Sequence, residues 1–480
     1  MRPATLLFVL LMLVPLPFLP EFGGANSSTR LMLSDALVAE GTTRIDRHAA
    51  LTVDKAQVGA HYYSDKAPGM ALLAVPAYAV GRAVAPEAAA ALFQLDAPLD
   101  TLPRGAALIW RAIAWTTGGL LMALAGAALY RAGLRLGGDP RAALMASLSV
   151  CLATPVLGWS VQFFGHVAAG AALAIAFALA TGLARAPTRL PQGLRAPLAG
   201  AALSLAVSIE YTAAPPALMI ALYALWRLTL LPRATAWRLF ALAFGAAIAA
   251  ALPMMVYHWA SFGSPFRVGY SSVVGFEGMQ EGFLGLTRPD PAVLWQILFS
   301  IRRGILWLSP LLALVPIGIW YGLRAPGRGG AGHRADMGLC LAVILYYFLL
   351  NASYFYWGGG ASVGPRHTMP AVFFMFLPLL WLWTRWDGRA RRILQGLFGL
   401  SLFFSLACAS MTMTVPSGMR FPLKDPILEN LLTERNAFFR MAHWELSPAL
   451  VFGAWLLASL GLALLTWRRT TVEQSADISR

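Results

Sequence analysis

Apolar residues come in runs of about 20, broken by short polar stretches, and this pattern dictates the first reading of the chain. After an opening run at 4–20, further runs fall near 106–130, 142–160, 163–184, 196–213, 214–231, 239–260, 304–323, 337–352, 368–384, 393–414 and 447–467. An α-helix rises 1.5 Å per residue, so roughly 20 apolar residues cross a hydrocarbon core of about 30 Å. The expected fold class is an all-α polytopic membrane protein with about 12 transmembrane helices (11–13). The opening run has one arginine before it and no clear small-residue cleavage site after it, so it reads as a retained anchor, not a removed leader.

The breaks alternate in charge. Every second gap is short and rich in arginine: Arg131, Arg135 and Arg141; Arg185, Arg189 and Arg195; Arg227, Arg233 and Arg238; Arg324, Arg328 and Arg334; Arg385, Arg389, Arg391 and Arg392; Arg468, Arg469 and Arg480. With Arg2, these segments hold 20 arginines against five acids, whereas the opposite segments hold 16 cations and 16 acids. The excess marks the cytoplasmic side and places both termini inside. The run 67–84, APGMALLAVPAYAVGRAV, breaks the alternation if it spans. Pro68, Gly69 and Pro76 weaken it as a transmembrane helix, so it is expected to lie at the outer interface.

Composition supports this picture. The chain is 58% hydrophobic and 12% charged, against about a quarter charged in soluble domains. The net charge of +15 is spread over short loops that face anionic headgroups, which argues against a nucleic-acid partner. Cys151, Cys340 and Cys408 lie inside apolar runs without metal-ligand spacing. A single domain is expected, with a first span at 4–20, an outer loop at 21–105, a helical bundle at 106–467 and a cytoplasmic tail at 468–480. The other outer segments are 261–303, 353–367 and 415–446.

The chemistry concentrates in these outer segments. The stretch His61-Tyr-Tyr-Ser-Asp-Lys-Ala-Pro-Gly-Met70 sets Asp65 and Lys66 before a Pro-Gly, and all three lysines of the chain lie outside. Within STRLMLSDALVAEG, apolar residues at 31, 33, 37 and 38 fit a short amphipathic helix. Arg302 and Arg303 stand just before the run at Gly304, where a lipid-linked phosphate is a plausible ligand and snorkelling anchorage the plain alternative. In YFYWGGGASVGPRHTMP, Trp357 and its neighbouring tyrosines precede three glycines, and Arg366 and His367 follow. Tyr63 and Tyr270 are further candidates for lining a substrate site, with Arg267 weaker. Glu210 and His166 are ionisable groups inside apolar runs, which are costly and functional by default. Glu210 lies near the outer end of its run and His166 reads as bonded to a neighbouring helix.

Taken with these motifs, the chain resembles the GT-C integral membrane glycosyltransferases, among them the protein O-mannosyltransferases and the lipid A aminoarabinose transferase. The resemblance rests on Thr29–Asp35, on HYYSDKAPG against a Tyr-x-x-Lys-Pro-Pro of the relatives, on Arg302–Arg303 and on YWGGGASVGPRH. It implies a sugar taken from a polyprenyl-phosphate donor at the outer face of the plasma membrane and passed with inversion to a lipid, glycan or protein acceptor. It also implies a carboxylate base early in the first outer loop and a lysine or arginine on the donor phosphate. The Asp-Glu pair usual after the first span is replaced here by Ala25-Asn26-Ser27-Ser28. The base is therefore sought among Asp54, Asp65, Asp46 and Asp35, and the phosphate ligands among Lys66, Arg302, Arg303 and Arg366. A lysine directly after Asp54 and Asp65 is expected to lower the pKa of each. No Asp-x-Asp pair occurs, which disfavours nucleotide-sugar chemistry; no cofactor is implied with certainty, and a divalent metal stays open. The alternatives are a transporter or lipid flippase, with Glu210 facing His166 across a polar pathway, and a non-catalytic relative.

Overall fold

A computed structural model of the chain describes residues 1–94, 102–184, 190–324 and 331–478. Five described helices are long and apolar enough to cross a membrane: Arg104–Arg135, Arg233–Phe262, His333–Ser353, Gly388–Met411 and Pro448–Val472. Arg366–Phe374 and Phe376–Arg385, bent by 45° at one residue, make a sixth if they count as one span. Several of the remaining apolar runs fold as shorter pieces where prolines interrupt them. The first helix stops at Leu13, ahead of Pro15, Pro17 and Pro20. The run 142–160 divides at Pro155 into Pro140–Cys151 and Val156–Ser160. Proline lacks the N–H that a continuing helix needs.

Arginine does more on the expected inner side than set orientation. The helix Gly165–Ala180 ends with carbonyls that have no partner within the helix. Arg135 donates to the carbonyl of Ala178 (2.5 Å), Arg195 to that of Gly182 (2.5 Å) and Arg227 to that of Thr181 (3.3 Å). Three helices thus each send a cation to the negative end of a fourth. Arg185, Arg189, Arg328 and Arg480 lie outside the described residues.

The first outer segment packs as a layer of its own. The helix Ala25–Asp35 continues through a widened turn, Ala36–Glu40, and ends at Gly41, whose φ of +62° suits glycine. It is not the surface amphipathic helix expected: Ser27 to Ala36 are buried on every side. The helix Gly69–Val84 lies against it and continues through Pro76. Ser34 Oγ ties the two helices, donating to the Ala71 carbonyl (3.0 Å) as well as to the Arg30 carbonyl of its own helix (3.1 Å). The all-α expectation needs one correction. Ala56–Val58 and His61–Tyr63 form an antiparallel hairpin in which Ala56 faces Tyr63, and Gly59 (φ +60°) makes the turn. Pairs of three-residue strands are too short to show a period in sequence.

Two of the acids proposed as bases serve this layer. Asp46 caps the hairpin at the surface, accepting from His61 Nδ1 (2.7 Å) and the Tyr62 N–H (2.6 Å). Asp35 is buried and accepts from Tyr78 Oη (2.6 Å) and Arg82 Nη1 (3.3 Å), with His48 Nε2 at 3.2 Å. Burial alone would raise the Asp35 pKa, but the bonds from His48 and Tyr78 and the charge of Arg82 outweigh it and hold it below 3.8. A depressed carboxylate stabilises the fold above its unfolded pKa and loses that contribution as pH falls through its folded one. Asp35→Asn is expected to cost about 1–3 kcal/mol at pH 7. Thermal unfolding in detergent checks this, and the gap to wild type should close below the ordinary aspartate range.

Candidate functional site

A cavity of about 700 Å³ opens where the first three outer segments meet the span ends, and it is lined by Asp54, Asp65, Lys66, Glu210, Tyr270, Arg366 and His367. The hairpin brings the first of these together by folding Asp54 back beside residues 65–66. Lys66 Nζ lies 2.7 Å from Asp65 Oδ2 and 3.1 Å from Asp54 Oδ2. Lys55 has another place: it donates to the Ala49 carbonyl (2.7 Å) and lies over the Tyr62 ring. One ammonium therefore serves two carboxylates.

Electrostatics differ from the expectation at Asp65. Burial pushes its carboxyl above the ordinary 3.8, and the opposing attraction of Lys66 does not reverse this. Burial also disfavours the Lys66 ammonium, but Asp65 and Asp54 outweigh it and hold the lysine protonated above 10.5. Asp65 Oδ1 is buried with no hydrogen-bond partner among the described residues. Such an atom costs free energy unless something enters to satisfy it. A Cβ on Gly269 would come within 2.7 Å of the Asp65 carbonyl, so only glycine lets the second outer segment pack here. The hairpin edge also pairs with that segment through Ala56 and Val273.

A second ion pair forms the floor. Arg30 is buried and uses its whole guanidinium: Nη2 to Glu210 Oε1 (2.7 Å), Nη1 to the Ala67 carbonyl (3.3 Å) and Nε to Asn26 Oδ1 (3.1 Å). Asn26 thus orients Arg30. Gly165 leaves room for Glu210, since a Cβ there would overlap Oε1. His166 Nδ1 comes within 3.8 Å of the same Oε1, and its ring meets that of His367 edge-on at 5.0 Å. His367 Nδ1 lies 2.9 Å from Asn351 Oδ1.

The glycine turn positions arginines. Gly359 and Gly360 have φ of +65° and +61°. A Cβ on Gly359 would press within 3.1 Å of Arg366 Nε, and the Gly360 carbonyl accepts from Arg303 Nη2 (2.6 Å). Arg366 lies over the Phe164 ring (4.9 Å), and its buried Nε has no hydrogen-bond partner among the described residues. The Arg302–Arg303 pair does not line the cavity: Arg303 supports the turn from behind, and Arg302 bonds the Ser417 carbonyl (2.5 Å). Trp357 packs half-buried on the core, and Tyr63 is buried against Phe262 (5.7 Å). Asp35 and Asp46 also lie outside the lining.

One lining acid escaped the sequence reading. Glu21 follows the first helix, accepts from Thr412 Oγ1 (2.5 Å), and is pushed above 4.5 by burial. Its only signal was being the first acid after an apolar run. The lining also includes the apolar side chains of Phe276, Met279, Phe283, Leu286, Leu350 and Phe355. Among the described residues, no group of three or more His, Cys, Asp or Glu could hold a metal ion.

No protein-family profile matches the chain, and no curated protein matches it in sequence. Solved structures do match its fold. ArnT from Cupriavidus metallidurans in the apo state superimposes with a TM-score of 0.52 at 15% identity, covering 98% of this chain and 74% of ArnT. The same protein bound to undecaprenyl phosphate gives 0.50 at the same identity and coverage. The Archaeoglobus fulgidus oligosaccharyltransferase in complex with zinc and sulfate gives 0.48 at 15% identity, covering 85% of this chain and 53% of that one. The chain has the fold of ArnT.

Proposed function

We propose that the chain is a glycosyltransferase that moves a sugar from a polyprenyl-phosphate donor to a lipid, glycan or protein acceptor at the outer face of the membrane. In this reading the chain crosses the plasma membrane twelve times as one domain with both termini inside, and the cavity opens outward. The observation that carries it is one cavity lined both by Asp54, Asp65, Lys66 and Arg366 and by apolar side chains such as Phe276, Phe283 and Leu350. A donor combines the same two characters, a charged phosphate with its sugar and a hydrocarbon chain.

The residues divide the chemistry as follows. Asp65 accepts the proton of an acceptor hydroxyl or amine through its unpartnered Oδ1, and the acceptor atom attacks the anomeric carbon. The bond from that carbon to the phosphate oxygen breaks with inversion, and the electron pair leaves with the polyprenyl phosphate. Arg366 and Lys66 offset the charge that develops there. A carboxyl of raised pKa is the stronger base once ionised. Asp54 holds Lys66 in place, and Glu21 is the second carboxyl available to an acceptor.

The likeness to ArnT bound to undecaprenyl phosphate supports the donor class at the level of fold. A transport reading draws on the approach of His166 to Glu210, but Glu210 is already committed to Arg30 at 2.7 Å. The test offers the purified chain a panel of labelled polyprenyl-phosphate sugars and measures release of polyprenyl phosphate. Turnover with one donor class is expected; none with any donor, for wild type as for Asp65→Asn, would leave a non-catalytic relative as the better description.

A further inference from the structure

His166 and His367 line the cavity, and the transfer chemistry assigns neither a task. Their rings meet edge-on with centroids 5.0 Å apart, and the Tyr354 ring meets that of His367 at 5.4 Å, which makes a row of three. Both imidazoles are held at Nδ1. His367 Nδ1 lies 2.9 Å from Asn351 Oδ1, and His166 Nδ1 comes within 3.8 Å of Glu210 Oε1. Among the described residues neither Nε2 makes a hydrogen bond.

The supports are sealed, whereas the rings are not. Asn351 is fully buried, its Nδ2 has no partner among the described residues, and its one side-chain bond is the contact to His367. Glu210 is buried as well, while the His166 side chain is 14% exposed and His367 is half-buried. Of each pair, the imidazole is thus the member that a ligand in the cavity reaches.

The place in the cavity tells which part of a ligand arrives here. His367 directly follows Arg366, to which the donor phosphate is assigned above, and both line the cavity. The group bonded to that phosphate is the sugar. An imidazole nitrogen offers a lone pair or an N–H according to its tautomer, and a hydroxyl, which both donates and accepts, satisfies either. A hydrocarbon chain satisfies neither.

We infer that His166 and His367 are the specificity residues for the donor sugar and take two of its hydroxyl groups through their Nε2 atoms, with Asn351 positioning the His367 ring. The substrate class is a sugar that keeps two free hydroxyls close together. The inference rests on the donor reading proposed above.

Binding to the detergent-purified full chain is measured for bare undecaprenyl phosphate, for the same lipid carrying glucose, mannose, galactose or xylose, and for the deoxy forms of whichever binds most tightly. Wild type should bind one sugar lipid about tenfold more tightly than bare lipid. Loss of a contacted hydroxyl should remove about tenfold, since a site built to hydrogen-bond a hydroxyl rejects the analogue without it. His166→Phe and His367→Phe keep a ring in place, and each should weaken the best sugar lipid about tenfold while binding bare lipid as wild type does. Each variant should also no longer distinguish the parent sugar from the deoxy form whose hydroxyl it held. The deoxy series uses wild type alone, so it decides even where a variant fails to fold. Equal affinity for the parent and every deoxy form, no gain from any sugar over bare lipid, or variants that bind the best sugar lipid as tightly as wild type would each overturn the subsite and leave the donor reading standing. Absence of binding by bare and sugar-bearing lipids alike would overturn the donor reading, and the subsite with it.

Discussion

Asp65→Asn is expected to lower sugar transfer by about 10²–10⁴-fold, the range a positioned general base supplies, with donor binding close to wild type. The asparagine keeps the shape and an acceptor oxygen near Lys66 but has no lone pair basic enough to take the acceptor's proton. Asp54→Asn should cost less, because Asp54 acts through Lys66 and Asp65 retains its 2.7 Å contact to that lysine. The pH profile separates these roles. Burial lifts the Asp65 pKa above 3.8, and a base works only when ionised, so activity should fall as pH drops through that raised value. The acid limb should therefore lie above the ordinary aspartate range in wild type and be absent from the residual activity of Asp65→Asn. An unchanged limb in that variant would assign the base elsewhere, with Glu21 next in line.

The second large effect is expected at the floor of the cavity. Arg30→Met leaves Glu210, with a side chain 7% exposed, without its cation. Breaking a buried pair by removing one partner typically costs about 3–5 kcal/mol, because the remaining charge stays desolvated. The variant should be poorly folded and inactive, and Arg30→Met with Glu210→Gln together should recover most of the lost stability. Thermal unfolding of the two single variants and the double variant gives the coupling directly. Purely additive losses would mean that the Arg30–Glu210 contact contributes nothing of its own.

The sequence made the class of fold legible and some of the site. Asp65 and Lys66 are adjacent and fall outside the apolar runs, so their pairing needed no fold. Arg366 and His367 stood out because charge at the start of an apolar run has few plain explanations. Asp54 seemed to belong with Lys55, its neighbour, and only the hairpin turn at Gly59 hands it to Lys66. The stretch that holds Arg30 read as a short amphipathic helix, yet residues 27–36 are buried and the arginine meets a residue 180 positions away. Arg302 and Arg303 read as a pair, although a turn of backbone sends one to Ser417 and the other to Gly360. Contacts set by local geometry were readable, whereas those set by the meeting of distant loops were not.

The central claim is that the cavity receives a polyprenyl phosphate, and equilibrium binding of undecaprenyl phosphate to the detergent-purified chain tests it most directly. Saturable binding is expected for wild type, weakened about tenfold or more by Arg366→Gln and by Lys66→Ala, since each removes a charge-assisted contact to the phosphate. Arg302→Gln, outside the cavity, should bind as wild type does. Equal affinity across wild type, Arg366→Gln and Lys66→Ala would contradict the account.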